Sequence, residues 1–275
     1  MKNVIRDTIS LYGQNSPEIV DPNLYNGIEC DKLKAQRVAI EEAQRKASEK
    51  GSNISPNSNL IKDYKALLPS NLPAIVFFCI LGNILGDCTL YYVENSKGPQ
   101  ASLGFEWGNR SYAYFIYGIL KDYVLSPPRT QTRINELGNE VTTYCFQTIT
   151  HTSFAVFYPL FIVDGIKTVT SGLILNLLSP LSLAIWYMDD GGLNDYSGGH
   201  GFTITINTHG FTIETVEKIV EELNKRYELG AWCKVIRHKK NKPVIVIPSS
   251  SYPKFYSIVF PYMAPAIMYK VPTPK

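Results

Sequence analysis

The chain has 275 residues, enough for one large domain or two small ones. Hydrophobic residues make up 45% and charged residues 19%, which excludes wholesale disorder. A net charge of +3 is too small for bulk charge to announce a nucleic-acid partner. The distribution is uneven, however. Residues 1–54 carry eight basic and eight acidic side chains, 140–230 four basic against ten acidic, and 231–275 eight basic and none acidic. That basic end is either a phosphate footprint or a solvated surface. The five cysteines (Cys30, Cys79, Cys88, Cys145 and Cys233) form no CxxC pair, and the four histidines are scattered. They read as reduced thiols rather than a disulfide frame or a zinc site. Met1–Ser10 is polar and lacks the apolar core of a secretory signal. Residues 168–188 carry no charge, but seven Thr, Ser, Asn and Pro residues interrupt them and Asp189-Asp190 follows, so no membrane span is expected.

Along the chain, residues 1–54 read as an appendage, with a charged helical run over 41–50 broken by Gly51-Ser52-Asn53. A short helix is predicted over 59–67 and a strongly apolar one over 74–85. In the latter, Gly82 and Gly86 lie four apart on one face, where close approach of another backbone explains two glycines. Strands follow at 90–92 and 100–107, then a helix over 112–125, a strand within 139–149 and a helix over 153–163. The order then begins again: an apolar helix over 181–188, a strand over 201–207 and an amphipathic helix over 212–227. Strands at 232–237 and 244–247 and a last helix over 252–263 complete it.

The second series repeats the first. Asp87 and Asp190 each follow an apolar helix and lie 103 residues apart, as do Lys167 and Lys270. Ser153-Phe154-x-x-Phe157-Tyr158 recurs as Ser251-Tyr252-x-x-Phe255-Tyr256. A carboxylate at a helix C-terminus is disfavoured by the helix dipole, and a bound cation removes that penalty. If the two apolar helices pack face to face, Asp87 and Asp190 come together, and two such carboxylates suit Mg²⁺. Phosphodiester hydrolysis uses that arrangement, with a lysine from each half to polarise water or stabilise the phosphorane.

Both helix-plus-Asp runs, Leu81-Gly82-Asn83-Ile84-Leu85-Gly86-Asp87 and Ala184-Ile185-Trp186-Tyr187-Met188-Asp189-Asp190-Gly191, resemble the paired motifs of the single-chain LAGLIDADG homing endonucleases. The likeness is closer to the intron-encoded endonucleases of yeast mitochondria. It extends in order through Ser55-Pro56-Asn57-Ser58, Phe105-Glu106-Trp107, Leu125-Ser126-Pro127-Pro128, Leu137-Gly138-Asn139, Asn241-Lys242-Pro243 and Met268-Tyr269-Lys270, across about residues 55–275. The resemblance implies an α+β fold of two pseudo-symmetric αββαββα half-domains, residues 55–167 and 181–275, joined by a 168–180 linker. The motif helices would pack at the centre between saddle-shaped antiparallel sheets. Residues 1–54 have no counterpart and are expected to be poorly ordered or dispensable.

The resemblance further implies a monomer that cuts both strands of a long asymmetric duplex site and leaves 3′ overhangs. Asp87 and Asp190 would be catalytic metal ligands, Gly86 and Asp189 would add backbone carbonyls, and Lys167 and Lys270 would be the active-site lysines. The cofactor would be Mg²⁺, with Mn²⁺ substituting. Candidate DNA contacts on strands and turns are Tyr91, Tyr92, Arg110, Arg129, Arg133, Asn194, Arg237, Lys239 and Lys240, against ordinary surface polarity. Ile185 and Asp189, standing where the first motif has Gly82 and Gly86, imply asymmetric helix packing. The alternative functions are an RNA maturase that assists splicing of its host intron and a DNA-binding module without catalysis. The compartment implied is the mitochondrion, with the chloroplast second.

Overall fold

Helices α1 (Lys2–Tyr12), α2 (Asp31–Ser48) and α3 (Asn59–Leu67) precede the repeat. The first unit runs α4 (Ala74–Leu85), β1 (Thr89–Asn95), β2 (Gly98–Trp107), α5 (Arg110–Leu120), β3 (Arg129–Ile134), β4 (Glu140–Gln147) and α6 (Tyr158–Phe161). A small hairpin, β5 (Ile162–Val163) and β6 (Ile166–Lys167), and the short α7 (Leu173–Leu177) lead to the second unit. That unit runs α8 (Pro180–Asp190), β7 (Gly191–Asp195), β8 (Phe202–Asn207), α9 (Ile213–Tyr227), β9 (Trp232–Ile236), β10 (Lys242–Ile247) and α10 (Tyr252–Val259). The computed structural model describes residues 2–13, 21–96, 98–195, 202–236 and 241–274. Among them no helix is long and apolar enough to cross a membrane.

The repeat expected from sequence is present in three dimensions. Each unit builds a four-stranded antiparallel sheet, ordered β1-β2-β4-β3 in the first and β7-β8-β10-β9 in the second. Helix starts follow their caps: Asn109, Ser179 and Thr212 accept from the backbone N–H groups of Tyr112, Ser182 and Thr215. The β3–β4 turn closes through Asn135, whose Oδ1 accepts from the Leu137 and Asn139 amides, with Gly138 at φ 80°.

Three predicted helices end early, each for a local reason. The helix expected over 112–125 stops at Leu120 because Arg37 caps its end: the guanidinium donates to the carbonyls of Lys121 and, at 3.1 Å, Val124. The helix expected over 153–163 is a 3₁₀ turn (Thr152–Phe157) and a single α-turn, with Pro159 supplying no amide donor. The one expected over 252–263 gives way after Val259 to a 3₁₀ turn containing Pro261.

Arg37 also introduces a correction. The first 54 residues, expected to be poorly ordered or dispensable, contain two ordered helices that pack on the first unit. Tyr12 stacks flat on Phe77 of α4, centroids 3.9 Å apart, and its hydroxyl donates to the Leu72 carbonyl at 2.9 Å. The Asp122 carboxylate accepts from the Ile28 amide at 2.7 Å, and Leu33 and Ile40 of α2 are buried. The 168–180 linker is pinned too, since Glu222 of α9 accepts from the Gly172 and Leu175 amides.

At the centre, α4 packs against α8. Nearly every α4 residue is buried, as are Leu181 through Met188. The two glycines have the role their spacing predicts. A Cβ on Gly82 would meet the Ser182 carbonyl oxygen at 2.5 Å and the Ile185 Cβ at 2.9 Å, and one on Gly86 would meet Asp189 at 2.6 Å. The α4 face is therefore a smooth trough, and α8 supplies the side chains that fill it. Ser182 Oγ crosses the interface to donate to the Phe78 carbonyl at 2.8 Å.

Candidate active site

Because Gly86 abuts Asp189, the C-terminal ends of α4 and α8 meet, and Asp87, Asp189 and Asp190 come within reach of one another's charge. Lys167 comes in from β6 and Lys270 from the 3₁₀ turn Pro265–Lys270. Lys270 is held at both ends. Its Nζ donates to the Met188 carbonyl at 2.7 Å, and its own carbonyl accepts from Tyr187 Oη at 2.8 Å. Lys167 Nζ lies over the Phe211 ring, 4.9 Å from the centroid. Asn207 fixes the end of α8 by donating to the Asp190 carbonyl at 3.1 Å.

The electrostatics cross between halves. Desolvation pushes the half-buried Asp190 up to about 7, aided by the Asp87 charge and opposed first by Lys167 and then by Lys270. Asp87 exposes more surface; partial desolvation still raises its carboxyl, opposed first by Lys270 and then by Lys167. Desolvation lowers both lysines. Lys167 is held up more by Asp190 than by Asp87, and Lys270 more by Asp87 than by Asp190. Between the two motif aspartates, Lys270 couples more strongly to Asp87 and Lys167 to Asp190, each coupling joining one half to the other.

Asp189, expected to offer its backbone carbonyl, has side-chain partners of its own. Its carboxylate turns into the first half, where Oδ1 accepts from Tyr112 Oη at 2.7 Å and Trp107 Nε1 at 3.1 Å. Oδ2 lies 3.4 Å from the Asp87 amide. Desolvation, with the Asp87 charge next, drives this carboxyl well above the usual carboxylate range. Among the described residues, no three His, Cys, Asp or Glu side chains converge as a ready-made metal cage.

A groove runs from Asp87 over the first sheet, lined by Tyr91, Gly104, Arg129, Gln131 and Gln147. Of the predicted DNA contacts, Tyr91 (50% exposed) and Arg129 face this groove. Arg133 borders the neighbouring cavity with Asp87 and Lys270, paired to Glu106 at 3.1 Å. Asn194 is exposed on β7, donating to Thr205 at 2.8 Å. Two candidates are placed elsewhere. Tyr92, one residue from Tyr91 and so on the opposite sheet face, stacks on Tyr158 at 3.9 Å. Arg110 lies on α5 over the Tyr114 ring, 5.6 Å from its centroid. Arg237, Lys239 and Lys240 lie outside the described residues. Gln131 and Gln147 line the same groove without having been candidates, although the period of two from Arg129 and Cys145 points to them.

The chain matches the LAGLIDADG DNA endonuclease family over residues 77–255. It belongs to that family. A probable intron-encoded endonuclease of Wickerhamomyces canadensis is 38% identical over 219 residues, 79% of this chain and 92% of that protein. The solved structure of the homing endonuclease I-WcaI bound to its DNA recognition sequence superposes with a TM-score of 0.73 at 38% identity, covering 80% of this chain and 95% of that one. A cytochrome b mRNA maturase of Debaryomyces hansenii is 28% identical over 196 residues, 69% of this chain and 71% of the relative. In this LAGLIDADG chain both motif aspartates survive, one at the end of each central helix.

Proposed function

We propose that this protein is a site-specific, intron-encoded homing endonuclease that hydrolyses one phosphodiester on each strand of a long, asymmetric duplex and leaves 3′ overhangs. The observation that carries the reading is the crossed pair of Asp/Lys sets at the meeting point of α4 and α8, beside a groove lined with Arg and Gln. Likeness to a homing endonuclease bound to its DNA recognition sequence supports duplex DNA as the partner of a single chain. Compartment follows the relatives: the match to cytochrome b mRNA maturases favours an organelle, and the mitochondrion first.

The donor set fits a hard divalent cation. The Asp87 charge raises Asp190 and desolvation raises both, a cost that a cation between them removes. Those two carboxylates would hold it with backbone carbonyls of Gly86 and Asp189, DNA oxygens and water completing the shell. Mg²⁺ is the expected ion, with Mn²⁺ substituting. When bound, it supplies charge at the attacking water and the leaving oxygen. The chain's own residues do the rest. Lys167 and Lys270 place a positive charge beside each carboxylate, ready for the charge that builds on phosphorus in the transition state. Arg129, Gln131 and Gln147 offer donors from a rigid sheet to phosphates and base edges.

Incubation with a linear duplex spanning the intron-free host gene tests this. A double-strand cut with Mg²⁺ and none with EDTA is the expected result; binding without any cut in either condition overturns it. The maturase likeness supports a second activity, splicing of the host intron RNA, assayed separately on that transcript.

A further inference from the structure

The contact that the repeat does not duplicate is the one made by Asp189. By motif, strand end and helix cap, Asp189 corresponds to Gly86, Trp107 to Asn207 and Tyr112 to Thr215. No carboxylate, indole or phenol stands at the matching positions on the other side. Asp189 reaches from the second motif into the first half, is gripped by the end of β2 through Trp107 and the start of α5 through Tyr112, and fills the space that Gly86 leaves. Its second oxygen faces the Asp87 amide. Its charge also acts on Lys270 more than that of Asp87 or Asp190. The cavity at this end contains all five groups: Asp87, Trp107, Tyr112, Asp189 and Lys270.

We infer that the Asp189 side chain is a positioning residue for one of the two cuts, fixing the Asp87/Lys270 set in place while leaving the Asp190/Lys167 set to other supports. The inference rests on the proposed endonuclease reading. Physically, the clamp ties the Asp87 backbone to a rigid sheet corner across the helix interface. Asp87 otherwise follows Gly86, whose φ of −96° and ψ of −121° lies outside helix geometry. The other set has different anchors, Asn207 on the Asp190 carbonyl and Phe211 beneath Lys167. Asn at 189 keeps the size but presents an N–H either to the Asp87 amide or to the Trp107 and Tyr112 donors. Geometry at Asp87 then relaxes, and misplacement of about 1 Å costs a reacting group roughly 100-fold in rate.

The test is strand-resolved. Asp189→Asn, Trp107→Phe and Tyr112→Phe are compared with wild type on an end-labelled duplex, each strand's rate being read separately. A second reading follows the Asp87 amide resonance in metal-free protein. Asp87→Asn serves as the reference for which strand depends on that carboxylate. Expected is a drop of about 10–100-fold on that strand in Asp189→Asn, with nicked DNA accumulating. Smaller drops on the same strand are expected for the two Phe variants, and a shifted Asp87 amide in all three. Equal slowing of both strands, or an unmoved Asp87 amide, overturns the inference and makes Asp189 a general packing residue. Failure of wild type to cut at all would instead overturn the endonuclease reading, so the two failures are distinct.

Discussion

The two halves share one topology but not one surface at their contact. α4 offers a trough with Gly82 and Gly86 at its floor; α8 offers Ser182, Ile185 and Asp189 to fill it. The same asymmetry reaches the carboxylates, because Asp87 is tied through Asp189 to Trp107 and Tyr112 while Asp190 is tied to Asn207. A duplicated scaffold can therefore hold two chemically matched sites by different means. It also adds a brace to the first half, where α1 and α2 pack through Tyr12 and Arg37.

The comparison breaks most sharply at the carboxylates themselves. Asp87→Asn and Asp190→Asn, made singly, are expected to lower cutting of one strand each by about 10²–10³-fold, the size seen when one charge-stabilising group is lost. Strand-resolved gels check this. Next comes the brace on the first half. Tyr12→Ala removes a buried ring stacked on Phe77 and is expected to cost about 3 kcal/mol, read as a lower urea midpoint. An unchanged midpoint would restore the view that the N-terminal segment is dispensable. Gly82→Ala follows at about 1–3 kcal/mol, because the added methyl meets the Ser182 backbone carbonyl, which cannot swing away as a side chain can. Ile185→Val, on the filling side, is expected to cost only about 1 kcal/mol.

A further effect depends on pH. Asp190 has a folded value of about 7, above its unfolded value, so between those values the folded state holds the extra proton. That stabilisation is present at low pH and is lost as pH rises through 7. Asp190→Asn should therefore melt above wild type at pH 8 without metal, and the gap should close as pH falls below the unfolded carboxylate value. Asp87, Lys167 and Lys270 are the charged groups facing it. A gap that instead widens toward acid pH would place Asp190 in a stabilising ion pair.

Much of this was legible in the sequence because the informative signals were covalent and periodic. The 103-residue offset set the repeat, two glycines four apart set the helix interface, and alternating apolar strands set both sheets. Four features were not. The order of the N-terminal helices depends on tertiary burial of scattered residues such as Tyr12, Leu33 and Ile40, which form no dense apolar stripe. The crossing of Asp87 with Lys270 depends on where two distant chain ends return, which spacing cannot report. Tyr92 was misplaced by treating neighbours in one strand as facing together, although a strand alternates its sides. The partners of Asp189, Trp107 and Tyr112, carried no motif signal beyond aromatic character.

The most direct test of the crossed arrangement follows each strand of one labelled duplex through cleavage by Asp87→Asn, Lys270→Met, Asp190→Asn and Lys167→Met. Crossed pairs predict that Asp87→Asn and Lys270→Met spare the same strand, and that Asp190→Asn and Lys167→Met spare the other. If Asp87→Asn instead groups with Lys167→Met, each half works alone and the account of the site is wrong.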